Sequence, residues 1–420
     1  MNSRQIAESS HNYQPGDVIF RLNEPLVYVT KYEHRLFTCD QCMRSIDSSI
    51  VCPGCHKVYY CSNDCQMKAW YRLHRIECSI LAKREPMQFE NQGIDYMQRL
   101  TLRLYLLMTS KDDNNGDKTG LQRSFTLPHN GQQRIIDEME THSEQLKDSD
   151  QFRGIINYFK FYQIDDYDAE LLLQCYGLLH VNSFGIDCYD TDNLTIDHRG
   201  CGLYIEASVF DHSCMPNACA AGDGLALEIR ALRPIRPGDL IYLDYVQDIL
   251  PKDQRIKHLE ERYFFTCKCI GGCADNIDSD DDHHNNAFDS NVDFKRYRVL
   301  DNLIESLNPN NNNNNNNDGD DDDGENSDDL DEDTWRQLYQ LWTQRLTIQE
   351  EYYRKCVYHP CLSLFYQSFL RFLILNHHRF WMDGIEAEMN RVMAKTREHL
   401  AITHGNHHEF YRWTVGNFDG

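Results

Sequence analysis

The spacing of apolar residues divides the chain into strand-rich and helical stretches. PGDVIFRLNEPLVYVT (15–30) combines a turn with β-branched and aromatic residues, which predicts strands. Residues 91–180 carry apolar side chains every three to four positions, and DAELLLQCYGLLHV opens on Asp168 as a helix N-cap. From 202 to 245 the pattern is typical of strands, with turns at GDG (222–224) and RPGD (236–239). The mixture predicts an α+β protein.

The last part of the chain is helical by the same criterion. After residue 334, apolar residues at helical spacing predict at least three amphipathic helices, in WRQLYQLWTQRL, LSLFYQSFLRFLIL and IEAEMNRVMAKTREHL. No run of about 18 apolar residues occurs, so we expect no membrane span and no membrane partner. MNSRQIAESSHNY lacks the apolar core of a signal peptide, which favours the cytoplasm or the nucleus.

Two low-complexity segments interrupt this pattern. DNIDSDDDHHNN (275–286) and the Asn- and Asp-rich stretch 308–333 cannot bury a core, so both are expected to be disordered linkers. Residues 275–333 hold 20 acidic and 3 basic residues, a net −17 out of −24 for the chain of 420 residues. Most of the acidity therefore belongs to the linkers and does not exclude a basic surface elsewhere.

A block of 40 residues, CDQCMRSIDSSIVCPGCHKVYYCSNDCQMKAWYRLHRIEC (39–78), supplies eight ligand-type side chains. They are Cys39, Cys42, Cys52, Cys55, Cys61, Cys65, His74 and Cys78. Zinc prefers four thiolate or imidazole ligands in a tetrahedron, so four pairs predict two closed, structural sites. The pairs Cys61/Cys65 and His74/Cys78 are spaced i, i+4, so a helix would place each pair on one face. Spacing alone leaves open which pairs share a metal.

A second cluster, CKCIGGC, contributes Cys267, Cys269 and Cys273, one thiolate short of a tetrahedron. Cys214, in VFDHSCMPNA (209–218), is the natural fourth ligand. The alternative for Cys214 is simple apolar packing. A shared metal would pin the segment 209–218 against the chain some fifty residues later. With 17 Cys and no secretory signal, we expect zinc sites rather than disulfides.

These motifs resemble two known modules. Residues 39–78 resemble the MYND zinc finger, including Tyr60 before the third pair and AW at 69–70. By that resemblance Cys39, Cys42, Cys61 and Cys65 hold one zinc, and Cys52, Cys55, His74 and Cys78 hold the other, in a cross-brace. NSFGI (182–186), GLYIEASVFDHSCMPNA (202–218), RPGDLIYLD (236–244) and RYFFTCKC (262–269) look like successive pieces of a SET domain.

Together they resemble the SET and MYND domain (SMYD) family of protein-lysine methyltransferases. The resemblance implies a β-rich, split SET domain with a pseudoknot, an inserted finger, a helical insert, a post-SET zinc site and a helical C-terminal region. The implied boundaries are 1–38 (N-terminal SET part), 39–78 (MYND finger), 79–170 (helical insert), 171–247 (SET core), 248–274 (post-SET segment), 275–333 (linkers around a short helix) and 334–420 (C-terminal helices).

The family's chemistry implies roles for individual residues. S-adenosyl-L-methionine would be the methyl donor, with three Zn²⁺ as structural ions. Tyr242 matches the catalytic tyrosine and Tyr263 its partner wall, while Tyr245 competes with Tyr242 because the spacer to Tyr263 is longer than usual. Phe264 is expected to be core. The implied cofactor contacts are Asn182, Ser208, Asp211, His212 and Phe265.

The chain departs from the family at two places. Asp211 stands where the family has Asn, so an amide donor is replaced by an acceptor. The family's Gly-x-Gly turn corresponds to Ser3-Arg4-Gln5, whose side chains would crowd a cofactor. These departures favour the alternative function, an inactive scaffold whose finger binds proline-containing peptides. The leading hypothesis is a methyltransferase acting on a lysine in a protein or peptide. The scattered bases of the finger form no stripe for DNA.

Overall fold

The computed structural model describes residues 7–84, 95–110, 122–190, 195–246, 248–269, 273, 292–307, 331–376 and 384–416. The chain forms two compact units. The first contains residues 1–211, 220–241 and 261–264, and the second contains 212–219, 242–260 and 265–420. The segment 275–286, residues 308–330 of the linker predicted for 308–333, and the tripeptide Ser3-Arg4-Gln5 lie outside the described residues, so the expectations for them stay predictions. Residues 332 and 333 are helical, so the linker prediction is wrong at its C-terminal end.

The strands pair antiparallel wherever a register is resolved. In chain order they are β1 (Val18–Leu22), β2 (Val27–Thr30), β3 (Ile50–Val51), β4 (Tyr59–Tyr60), β5 (Ser124–Thr126), β6 (Gln133–Ile135), β7 (Ser183–Asp190), β8 (Thr195–Leu203), β9 (Asp211–His212), β10 (Ala218–Asp223), β11 (Ala226–Ala231) and β12 (Tyr242–Leu243). Two sheets have three strands each, in the orders β1-β11-β10 and β2-β8-β7. β3-β4 and β5-β6 form separate two-stranded sheets. The strands predicted for 15–30 and 202–245 are confirmed.

The β2-β8 pair shows why these residues pack so closely. All four residues of β2 are buried, and β8 brings Gly200 opposite Thr30. A Cβ atom at Gly200 would lie 2.3 Å from the carbonyl oxygen of Val29 and 2.3 Å from Cε of Met43. Real Cβ atoms do not come this close to other heavy atoms, so only glycine allows the strand and the Met43 side chain to meet there.

The first unit also contains α-helices. They are α1 (Asn63–Ala69), α2 (Arg75–Leu81), α3 (Asp95–Thr109), α4 (Ser143–Leu146), α5 (Asp150–Phe161) and α6 (Ala169–Asn182), with a π-helical turn (Trp70–His74) between α1 and α2. The predicted N-cap is confirmed, because Oδ1 of Asp168 accepts the backbone N–H groups of Glu170 and Leu171 at 2.9 and 3.0 Å. Leu100, Leu102 and Leu104 of α3 are fully buried in the core. Phe264 also packs against this core, as predicted.

The second unit is mainly helical. Its helices are α8 (Phe294–Leu307), α9 (Glu332–Tyr352), α10 (Pro360–Asn376), α11 (Ile385–Thr403) and α12 (Glu409–Gly416), and α7 (Lys252–Tyr263) begins in it. The three helices predicted after residue 334 are α9, α10 and α11. Aromatic packing joins the first two, where the rings of Trp342 and Phe369 stack with centroids 5.7 Å apart. β12 pairs with β9, whose His212 belongs to this unit.

The described residues mix strands with helices, as the α+β prediction requires. Among the described helices, none combines the length and the apolar character that a bilayer crossing demands. The pseudoknot, the post-SET assignment and the seven domain boundaries stay predictions.

Candidate functional site

The Cys-rich block folds into two groups of four ligand-type side chains. One group is Cys39, Cys42, Cys61 and Cys65, and the other is Cys52, Cys55, His74 and Cys78. Within each group, all ligand atoms lie within 4.8 Å of one another. The spacing alone left the pairing open, whereas the structure groups the side chains in the cross-braced order that the family resemblance implied.

The distances fit zinc rather than disulfides. Zn–S bonds of about 2.3 Å in a tetrahedron separate the sulfurs by roughly 3.8 Å, whereas a disulfide holds them about 2.0 Å apart. The Sγ atoms of Cys42 and Cys61 are 3.8 Å apart, and those of Cys52 and Cys78 are 3.7 Å apart. Nε2 of His74 is 3.2 Å from Sγ of Cys52, so this nitrogen faces the metal position. Each site is closed by four protein ligands, as structural zinc sites are.

The expectation that a helix presents each of the two i, i+4 ligand pairs is wrong for one pair. Cys61 lies ahead of α1, because Ser62 is the N-cap and accepts the backbone N–H of Cys65 through its Oγ at 3.2 Å. Only Cys65 is helical in that pair. His74 ends the π-helical turn and Cys78 lies in α2, so this pair does share a helical segment. An N-cap turn thus presents the first pair, and a helix presents the second.

Four charged side chains lie beside the finger's ligands, and all but Arg99, which is 15% exposed, are buried. Glu77 accepts from Nδ1 of His74 at 3.2 Å and from Nη2 of both Arg99 and Arg103 at 2.6 Å. The same two arginines donate to Asp40, the neighbour of Cys39, at 2.7 to 2.9 Å. Glu77 is 0% exposed, Arg103 1% and Asp40 3%. Helix α3 therefore supplies two cations that hold carboxylates beside both zinc clusters.

The charge pattern of this network keeps both carboxylates ionised. Burial by itself raises the pKa of Glu77 and of Asp40, but Arg103 and then Arg99 outweigh it and hold both values below the usual range. An ionised Glu77 accepts the Nδ1–H of His74, which leaves Nε2 for the metal. The network thus fixes the tautomer and the ring orientation of one zinc ligand.

The third cluster contains Cys214, Cys267, Cys269 and Cys273, with all four Sγ atoms within 4.8 Å of one another. The Sγ atoms of Cys214 and Cys273 are 3.5 Å apart, again close to a zinc tetrahedron's edge and far from a disulfide. The three Cys/His clusters together fit three zinc ions. Cys214 thus has the metal-site environment expected of a fourth ligand, beyond simple apolar packing.

The segment around Cys214 carries a hydrogen-bonded group of side chains within the second unit. Nδ1 of His212 accepts the backbone N–H of Tyr245 at 3.0 Å, and Nε2 of His212 lies 3.3 Å from Sγ of Cys214. The rings of Tyr245 and Phe265 lie 5.4 and 6.1 Å from the His212 ring, centroid to centroid. Burial lowers the pKa of His212, against the opposing effect of Asp244, so its ring is neutral near pH 7.

The tyrosine strand is held to the same segment. Oδ1 of Asn217 accepts the backbone N–H of Tyr242 at 2.7 Å, and the backbone N–H of Ser213 donates to the carbonyl of Leu243 at 2.9 Å. Tyr242 and Tyr245 are both partly exposed. The structure brings Tyr245 into ring contact with His212 and holds Tyr242 through its backbone, so both tyrosines remain candidates for the reacting position.

The other predicted site residues belong to the first unit. The amide nitrogen of Asn182 donates to the carbonyls of Leu178 and Glu140 at 2.9 and 3.3 Å, which uses both of its N–H donors within the protein. Oγ of Ser208 donates to the carbonyl of Ile205 at 3.0 Å. Asp211 is exposed at the start of β9, and Tyr263 ends α7. Their roles toward a cofactor stay predictions.

Sequence reasoning missed several residues that the structure places beside the clusters. They are Asp40, Glu77, Arg99, Arg103, Asn217, Asp244 and His359. Arg99 and Arg103 left a signal, since two arginines at i, i+4 interrupt the apolar pattern of IDYMQRLTLRLYLLM. Asp40 and Glu77 are next to zinc ligands in the sequence, whereas no motif in the sequence around His359 indicates its role.

Comparison with known proteins agrees with this geometry. Residues 39–78 match the model of the MYND finger family, which covers both finger clusters. Over 258 residues the chain is 25% identical to N-lysine methyltransferase SMYD2-A of Danio rerio. Over 272 residues it is 29% identical to histone-lysine N-methyltransferase SMYD3 of Mus musculus. Residues 39–78 are therefore a MYND finger, and over about 260 residues the chain is similar to SMYD lysine methyltransferases.

The alignments with these SMYD relatives cover only part of each protein. The alignment with SMYD2-A covers 61% of this chain and 55% of that relative, and the alignment with SMYD3 covers 64% and 58%. The chain therefore spans about half the length of the curated relatives it matches.

Proposed function

We propose that this protein is a member of the SMYD family and an S-adenosyl-L-methionine-dependent protein-lysine N-methyltransferase. The observation that carries the proposal is the group formed by His212, Tyr245 and Phe265 beside the Cys214 cluster, at positions that match the family's active-site segments. The printed names of the relatives, which are lysine methyltransferases, support the same reaction class. The substrate would be a lysine side chain of a protein or peptide.

The chemistry requires a neutral amine and a methyl donor in line with it. S-adenosyl-L-methionine, when bound, supplies an electrophilic methyl group. A free lysine has a pKa of about 10.4, so an aromatic, desolvated channel is needed to favour the neutral amine. A tyrosine hydroxyl can orient that amine, and close positioning accounts for much of the rate in such displacements. Tyr242, Tyr245 and Tyr263 are the candidates for these roles.

The cofactor contacts carried over from the family are Asn182, Ser208, Asp211, His212 and Phe265. An ionised Asp211 would face the ammonium group of the cofactor rather than donate to it, since a carboxylate only accepts. The Asn-to-Asp departure is therefore compatible with binding.

Calorimetry and a methyl-transfer assay test the proposal directly. Zinc-loaded, folded protein is titrated with S-adenosyl-L-methionine, and transfer to histone and non-histone peptides is followed for the wild type, Tyr242→Phe and Tyr245→Phe. We expect cofactor binding in all three proteins and a loss of roughly 100-fold or more in rate for the tyrosine that orients the amine. Tyr411→Phe, on α12, is the matched control and should leave the rate unchanged.

Absence of cofactor binding by folded, zinc-loaded protein would refute the methyltransferase proposal. The remaining function would then be that of an inactive scaffold whose finger binds proline-containing peptides. The finger offers a surface for that second activity, because Met67, Trp70 and Tyr71 are 56%, 43% and 69% exposed. Exposed aromatic side chains of this kind bind proline-containing peptides in other modules. Peptide binding at the finger is proposed as an accompaniment to catalysis, and it becomes the sole function only if the calorimetric test fails.

A further inference from the structure

A chain of contacts runs from the C-terminal helices of the second unit to the Cys214 cluster. His359 lies directly before α10, and its Nε2 is 3.0 Å from Oδ2 of Asp244. Oδ1 of Asp244 accepts the backbone N–H of Val246 at 2.9 Å, which shapes the turn after β12. In that turn the backbone N–H of Tyr245 points at Nδ1 of His212. Residues far apart in sequence thus converge on one histidine.

Two groups face Nδ1 of His212, the backbone N–H of Tyr245 at 3.0 Å and Oδ1 of Asp244 at 3.3 Å. The shorter contact, from Tyr245, is the hydrogen bond that sets the proton position on this ring. A backbone N–H is always a donor, so Nδ1 of His212 must be the acceptor of the 3.0 Å bond from Tyr245. A neutral imidazole with an accepting Nδ1 carries its proton on Nε2. Nε2 lies 3.3 Å from Sγ of Cys214, so this N–H donates to the sulfur. A metal-bound thiolate is a better acceptor than a thiol, so the bond is strongest when zinc is bound.

His359 is oriented in the same manner. Its Nε2 donates to Oδ2 of Asp244 at 3.0 Å, a bond that the neutral and the protonated ring both make, and its Nδ1 lies 3.3 Å from the backbone nitrogen of Cys361. Its ring stacks on Tyr353 with centroids 4.2 Å apart and is 2% exposed. The surrounding structure therefore fixes the plane of the His359 ring and the direction in which its Nε2–H donates.

We propose that His359 and Asp244 are positioning residues for the third zinc site and for Tyr245. His359 holds the Asp244 carboxylate, Asp244 shapes the turn that presents the Tyr245 N–H, and that N–H commits His212 to donate to the Cys214 thiolate. The C-terminal helical region thereby sets the geometry of the metal cluster and of a candidate reacting tyrosine. The consequence for catalysis rests on the proposed methyltransferase function, whereas the consequence for the metal does not.

The test uses the full chain loaded with ¹¹³Cd in place of zinc, without S-adenosyl-L-methionine. Cys214→Ser assigns the resonance of the third site, because that signal changes or disappears in this variant. His359→Phe keeps a ring against Tyr353 but removes the donor to Asp244. His359→Gln keeps an amide donor, and His258→Phe, an exposed position on α7, is the matched control.

We expect His359→Phe to shift the third-site resonance and to leave the two finger resonances in place. Zinc in this variant should be bound about 10- to 100-fold more weakly at the third site, as is usual when an outer-shell partner is lost. His359→Gln should restore most of the affinity, and His258→Phe should behave as the wild type. A purely structural role of the ring would instead leave His359→Phe unaffected and make His359→Gln the weaker binder.

The proposal is overturned if His359→Phe leaves the third resonance and the zinc affinity within the range of the His258→Phe control. If His359→Phe does not fold, Asp244→Asn decides, because its Oδ1 still accepts from Val246 while the link to His359 is weakened. A normal third site in Asp244→Asn would then overturn the proposal. Because no methyl donor is present, failure of the methyltransferase proposal in calorimetry would leave this result unchanged.

Discussion

Replacing Glu77 by Gln probes the buried charges behind the finger. In the wild type, the charges of Asp40, Glu77, Arg99 and Arg103 sum to zero inside the protein. The amide of Gln removes one negative charge and leaves a net +1 among these four side chains, of which only Arg99 is partly exposed. The –NH2 group of the Gln amide is a donor, and it would face either the arginines or Nδ1 of His74. These groups are themselves donors to the Glu77 carboxylate in the wild type.

The magnitude follows from these contacts. Breaking a buried pair by removing one partner costs about 3 to 5 kcal/mol, because the remaining charge is uncompensated. Loss of the His74–Glu77 bond adds a reduction of about 10- to 100-fold in zinc affinity at the second finger site. The expected result is a finger that opens roughly 100- to 4,000-fold more often and releases one zinc ion faster.

Hydrogen-exchange mass spectrometry of peptides from α2 and α3 measures the opening, and a chelator competition measures zinc release. Glu144→Gln is the matched control, since Glu144 pairs with Lys147 at 2.8 Å on the exposed surface, where such pairs contribute at most about 1 kcal/mol. Adding Arg103→Met to Glu77→Gln restores neutrality and should recover part of the protection. The reasoning is refuted if Glu77→Gln exchanges within threefold of Glu144→Gln and retains its zinc.

Three further predictions address other parts of the chain. Cys214→Ser should lower the zinc content from three ions to two per chain by metal analysis, and a content of three would show that Cys214 is not needed as a ligand. Burial lowers the pKa of His399 to about 4, so the unfolded state binds its proton first and stability falls as the pH drops from about 6.5 toward 4, by up to about 3 kcal/mol. His399→Phe should flatten that acid branch in urea titrations, and an unchanged slope would contradict the assignment. Gly200→Ala should destabilise the β2-β8 sheet by about 1 to 3 kcal/mol through the clash with Val29 and Met43, and wild-type unfolding would contradict the packing argument.

The sequence by itself determined the features that depend on neighbours in the chain. Apolar spacing predicted α9, α10 and α11, and the carboxylate of Asp168 predicted the start of α6. Both depend on contacts within a few residues, which the order of residues specifies directly. The zinc ligands were predictable for the same reason, since each pair is presented by a short local turn or helix.

Only the tertiary structure decided which charged and polar groups meet. Arg99 and Arg103 are neutralised by Asp40 and Glu77, 22 to 63 residues away, and His359 donates to Asp244 across 115 positions. Ionic and hydrogen-bonding partners are selected by burial and by distances of about 3 Å. Neither exists until the helices have packed, so no pattern along the chain marks His359 as a partner of the tyrosine strand.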